Sequence, residues 1–447
     1  MICDFITLNC SNNLKKYKYN ININITMKLT YQSKKFLSFF TKNKYIQHIK
    51  HNNVTNHILK KLYYDILNAY KYMNSIQNSI YNYDIKKIHT SLDITKPQNF
   101  NYNSFPQVIR DHIDELSLSE LTYSFSLFNR DCKVIFIVED ANIELKIKQY
   151  NTYINSIVMW LYILNLYSSK QCANSIVIYF YFTSLEKQLP DSNIHILDEK
   201  HVNTAFTTTC PKNSEIVIFR REEWFKVFIH ETFHNFGLDF SDMNNNDCHN
   251  YLLTIFKVNS YVNLYEAYTE FWAEIINCLF CSFHMLKNKN NEKEFLSNAE
   301  FFINFERNYN FFQLVKILDF MGLKYEDLYS KSLHSETLRK TLYKEKTNVL
   351  SYYVIKTVLL NDYSDFLLWC EKNNLALIAF KKTIINQNKF CKFIEQKYKT
   401  HTMIENIHNS ELFLEYMKNS NKTKIKSKKQ LLNNLLNNLR MTICELG

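Results

Sequence analysis

Apolar residues recur three and four apart along most of this chain, and only its centre breaks the pattern. Between Ser38 and Tyr83, the residues Phe39, Ile46, Ile49, Ile58, Leu59, Leu62, Tyr63, Ile66 and Leu67 follow helical spacing. Residues 86–118 are mixed, with Pro97 and Pro106 marking irregular connections. At the centre the period shortens. Residues 132–139, 175–182 and 214–220 are short β-branched and aromatic runs that predict strands, with a further extended piece over 203–209. A helix is predicted over about 143–167, and another over 223–236. Beyond about residue 285 every strong pattern is helical: 301–321, stopped by Gly322, then 350–360 and 365–371. Strand, helix, strand, strand, helix is the order expected of an α+β fold, a small twisted sheet with a helix packed beneath it. A mainly helical region, 31–118, precedes this core (119–285), and a second, 286–447, follows it. Residues 1–30 are polar, Asn-rich and aperiodic, and are expected to form a disordered or weakly attached arm.

The helix predicted over 223–236 carries His230-Glu231-Thr232-Phe233-His234, an HExxH sequence, followed by Gly237. Residues four apart share one helical face, so His230 and His234 can aim two imidazoles at one ion, with Glu231 beside them as a base for a metal-bound water. At 100° per residue, Phe225, Ile229, Thr232, Phe233 and Phe236 fall on the side away from the histidines. That apolar side is expected to pack on the sheet. An amphipathic surface helix with two ordinary histidines would carry the same letters, so the next helix matters. Over residues 264–279, Glu266, Glu270, Glu274, Ala273 and Asn277 lie within one arc, opposite Leu264, Tyr268, Phe271, Ile275 and Leu279. Three glutamates on a solvated face would be unremarked in isolation. Following HExxH, they offer the third protein ligand that a catalytic zinc needs, and a further carboxylate to hold a ligand histidine.

Sheet strand, HExxH helix and ExxxE helix together resemble the gluzincin class of zinc metallopeptidases, over about residues 130–285. The resemblance implies a zincin-like core in which His230, His234 and Glu266 bind Zn2+, Glu231 is the general base, and Glu270 supports a ligand histidine. It implies a peptide or protein substrate, which the strand over 214–220 is expected to receive along a free edge. Glu270 backed by Glu274 remains an alternative third ligand. Asp239, Asp242 and His249 are others, because HExxHxxG also opens the metzincin motif, although Phe240 stands where that motif has a ligand. A catalytically inactive scaffold of the same fold is the second reading.

Composition narrows the field further. The chain has 3 Gly, 4 Pro, 31 Tyr and 34 Phe among 447 residues, a bias that resembles uncharacterised proteins of large AT-rich DNA viruses. With three glycines there is no GxxxxGK[ST] or GxGxxG loop, so no nucleotide cofactor is expected. The net charge of +11 would suit a basic nucleic-acid- or virion-associated protein, the third reading. The lysines are scattered, however, and their densest run, 418–429, reads as a solvated tail or linker, so nucleic acid is not the expected partner. No transmembrane segment is predicted, since the longest apolar stretch, 154–166, is short and interrupted by Asn155, Ser156 and Asn165. Eleven cysteines spread from Cys3 to Cys444, without a signal-peptide pattern at Met1, predict mostly free thiols and a cytoplasmic protein (host cytosol or virion). Cys278 and Cys281 read as packing residues in a helix. Cys210, before the last strand, reads as a small buried residue rather than a thiolate masking zinc.

Overall fold

A computed structural model describes residues 27–99, 104–421 and 426–447. It is an α+β protein built on one six-stranded sheet, in the order β1-β2-β3-β4-β6-β5. The strands are β1 (Tyr83–Lys87), β2 (Ser119–Leu127), β3 (Arg130–Val138), β4 (Ser175–Phe182), β5 (Ala205–Thr207) and β6 (Asn213–Ile218). The last four coincide with the predicted runs. β1 and β2 were not predicted: β1 is exposed throughout, so burial imposes no alternation on it.

β3, β4 and β6 are parallel, while β1, β2 and β5 run antiparallel to their neighbours. The central strands are apolar on both faces because both are covered. On one face Ile135, Ile137, Tyr179, Tyr181, Val217 and Phe219 meet Phe105, Ile109 and Ile113, the last two from helix Gln107–Leu116. On the other, Phe136, Phe180 and Phe182 pack against Tyr150, Tyr153 and Trp224. The two tyrosines come from helix Ile147–Tyr167, the crossover between β3 and β4. Trp224 opens the HExxH helix, Trp224–Asn235.

The structure corrects one expectation about this sheet. The strand predicted over 214–220 is not an edge: β6 is paired by β4 on one side and β5 on the other. On this side of the sheet the edge strand is β5, and β1 is the edge on the other side. Phe219 donates to the Thr204 carbonyl, and the alternation of an antiparallel ladder then turns the Phe206 amide and carbonyl toward β6 and those of Ala205 and Thr207 outward.

The HExxH helix is buried on every side. Below it lie the sheet and the crossover helix; above it lies helix Leu264–Met285, where Phe225 meets Phe280. One continuous core runs from Met27 to Leu446 and takes in the helical flanks. Of the arm expected over 1–30, residues 1–26 lie outside the described residues, but 27–30 are tied down. Leu29 bridges Leu446, and Thr30 donates to the Glu445 carbonyl at 2.9 Å. The Lys-rich run is helical at both ends, in His401–Ser420 and Lys426–Asn437, and its residues 422–425 lie outside the described residues. No helix among the described residues is long and apolar enough to cross a membrane. Cys210 departs from expectation: it is disulfide-bonded to Cys172. Seven other described cysteines, Cys278 and Cys281 among them, are free and buried.

Candidate metal centre

The HExxH helix begins where Glu223 takes a left-handed conformation (φ 59°), which turns the chain back under the sheet immediately after β6. It ends at Gly237, whose φ of 65° lets the Gly237 and Leu238 amides donate to the His234 and Phe233 carbonyls. Between these stops His230 and His234 occupy successive turns, with their Nε2 atoms 3.1 Å apart. Helix Leu264–Met285 crosses their open side. It brings Glu266 Oε2 to 3.2 Å from His230 Nε2 and 3.5 Å from His234 Nε2.

These spacings can be tested against a metal. Tetrahedral zinc with bonds of about 2.0–2.1 Å holds its ligands about 3.3–3.4 Å apart, and 3.1, 3.2 and 3.5 Å bracket that edge. Hydrogen bonding points the same way. His234 Nδ1 pairs with Asp239, and His230 Nδ1 lies 2.9 Å from Glu270 Oε1, close though not well aligned. Protons placed on both Nδ1 atoms leave two Nε2 lone pairs and a carboxylate oxygen facing one another. A cation among them, either a metal ion or a proton on one imidazole, relieves three converging acceptors. His230, His234 and Glu266 are the one such group among the described residues.

The supporting carboxylates are themselves anchored. Lys226, one turn before His230, donates to both Glu270 oxygens at 2.8 and 2.6 Å, and Lys356 sits 3.0 Å from Glu274. Asp239 accepts from the Ser241 amide and hydroxyl at 3.0 and 2.8 Å and from Thr269 at 3.3 Å. Tyr352 donates to Glu266 Oε2 at 3.1 Å. It stands on a π-helical turn, Leu350–Ile355, the kind of local bulge that often marks functional positions.

Burial disfavours charge at all these groups, and their neighbours decide the outcome. It works against an ionised Glu266, yet the two imidazoles hold that carboxyl well below its usual range. Glu270 is likewise depressed despite burial, chiefly by Lys226. His230 and His234 are raised against burial by hydrogen bonds and charge from Glu266, Glu270 and Asp239. Glu231 is different: burial pushes its carboxyl up, and the nearby histidines only partly oppose this. A base displaced toward neutrality is the kind a proton-transferring site uses. Glu231 lines a cleft of about 30 Å³ with His230, Glu270, Tyr352, Thr204, Ala205, Lys187 and Met441. That volume holds roughly one or two waters.

Of the other residues weighed as ligands, Asp239 reaches the centre but holds His234 from behind. Asp242 pairs with Lys382, and His249 accepts from the Val262 amide while stacking on Tyr261. Sequence reasoning missed Lys226, although i, i+4 spacing places it in line with His230. It also missed Tyr352, which no local pattern separates from the other tyrosines. No protein family, curated protein or solved structure matches this chain.

Proposed function

We propose that this protein is a zinc-dependent metallopeptidase with a gluzincin-like site. The observation that carries the reading is the convergence of His230 Nε2, His234 Nε2 and Glu266 Oε2 at tetrahedral spacing. Glu231 shares a cleft with one of them, His230. Bound zinc would supply Lewis acidity and a water acidified toward neutral pH.

The chain's own residues have distinct tasks. Glu231, its carboxyl raised by burial, accepts the proton of the attacking water and returns it to the leaving amine. Glu270 and Asp239 fix the imidazole tautomers, and Lys226 keeps Glu270 in place. Tyr352, whose hydroxyl lies beside Glu266, is positioned to donate to the carbonyl oxygen as it becomes an oxyanion. The outward amide and carbonyl groups of Ala205 and Thr207 suit an extended peptide adding to β5.

Glu231→Gln is expected to bind zinc stoichiometrically and to abolish cleavage of a peptide library; full activity in that variant would sink the assignment of the base. Tyr352→Phe should keep the metal and lower kcat by about 10²–10³. The tightness of the cleft favours one second reading, a metal-stabilised scaffold with no turnover. Stoichiometric zinc in the wild-type protein with no cleavage across the library would select it.

A further inference from the structure

A second cavity, sharing no lining residue with the cleft at the metal centre, lies where the β2–β3 turn meets the end of the crossover helix and the loop before β4. It measures about 420 Å³ and is lined by Phe128, Asn129, Arg130, Asn165, Lys170 and Asn174. The lining has two cations, three amides, one aromatic ring and no acid. We propose that this cavity binds a phosphorylated, hydroxyl-bearing small molecule, its phosphate held by Arg130 and Lys170 and its hydroxyl groups by the asparagine amides.

Arg130 forms part of the cavity wall. It is 6% exposed. Nη1 donates to Asn165 at 2.8 Å and Nη2 to the Ser169 carbonyl at 3.4 Å, while Nε is buried without a partner. No carboxylate among the described residues forms an ion pair with it. Asp131, its neighbour, falls on the opposite face of β3 and accepts from Ser126 instead. Its guanidinium otherwise lies over the Phe236 ring at 5.4 Å.

A buried charge without a counter-charge is costly, and native proteins pair such groups. Lys187, Lys226, Lys356 and Arg440 each face a carboxylate, whereas Arg307, Lys316 and Arg339 rest on amide or carbonyl oxygens alone; Arg130 belongs with the second group but borders a cavity of about 420 Å³ with a second cation, Lys170, on its wall. At Arg130 the missing partner is an anion from solution, and the open volume beside it is where that anion fits. Lys170, exposed at the mouth and free of ion pairs among the described residues, adds a second positive charge. A bare phosphate would leave most of 420 Å³ unfilled, and a volume of this size is typical of small-molecule sites. Three amides, each both donor and acceptor, suit hydroxyl groups in the remainder. The walls are pre-formed by the β2–β3 ladder on one side and, on the other, by residues 165–174, which the Cys172–Cys210 disulfide pins.

Calorimetric titration of the full chain with inorganic phosphate, glucose 6-phosphate and glucose tests the proposal. The expected result is binding of both anions, with the hexose phosphate tighter by about tenfold, and none of glucose; Arg130→Gln and Lys170→Gln should each weaken it about tenfold or more. Lys170 is exposed, so its substitution reads the site even if Arg130→Gln fails to fold. Absence of binding by either anion, or unchanged affinity in Lys170→Gln, would overturn the proposal. Equal affinity for phosphate and hexose phosphate would overturn its hydroxyl-bearing part.

Discussion

At the scale of single residues, the centre separates groups that would touch a metal from groups that hold those groups still. Glu266 points an oxygen at both Nε2 atoms, whereas Glu270 and Asp239 reach only the Nδ1 sides. Glu266→Ala is therefore expected to lose stoichiometric zinc, and Glu270→Ala to retain it with about 10–100-fold weaker affinity. Competition with a chromophoric chelator measures both, and the reverse order would make Glu270 the ligand. The pair was legible in the sequence because helical pitch alone puts residues four apart in line. Asp239 was harder. From Gly237 the chain could have carried it into or behind the centre, and only the tight turn through Ser241 decides that it stands behind.

At the scale of elements, the turn carrying Tyr352 depends on a half-buried acid at its start. Glu345 accepts from the Leu350 amide at 2.8 Å and from Ser260, and burial pushes its carboxyl from 4.5 up to about 7. Between those values the folded chain keeps a proton that the unfolded chain releases. Glu345 therefore contributes stability that is fully present below pH 4.5 and lost as pH rises through about 7. Urea midpoints at pH 5 and pH 8 should show the loss, and Glu345→Gln should remove part of that difference; an unchanged difference would mean Glu345 does not titrate there. A second element, residues 440–446, runs buried beside the HExxH helix. Glu223 accepts from the Met441 and Thr442 amides, and Glu306 from the Ile443 and Cys444 amides and the Thr442 hydroxyl. Glu306→Ala would strand these buried donors, and should cost at least about 3 kcal/mol in denaturant unfolding. The periodicity of 440–446 gave no warning of this role, because the partners are acids on helices far away in the chain.

At the scale of the whole molecule, the sheet, the HExxH helix and the flanking helices share one core, so distant parts of the chain stabilise the centre together. The Cys172–Cys210 disulfide closes a separation of 38 residues, and the Cys210 amide donates to the His234 carbonyl at 3.2 Å. Replacing both cysteines by serine is expected to lower stability by about 3–4 kcal/mol on the loop-entropy account. Reductant should reproduce that loss in the wild-type protein and leave the double variant unaffected. The sequence by itself determined what depends on local spacing: four of the six strands, the helices that carry the site, and the alignment of His230 with His234 and of Glu266 with Glu270. Tertiary structure alone decided that β5 rather than β6 is the edge, that the acidic face turns inward, and that Tyr352, Lys356 and the chain's last residues meet around one centre. Pitch and pleat fix neighbours within an element, whereas neighbours between elements are chosen by which faces find cover, and that is a property of the packed chain.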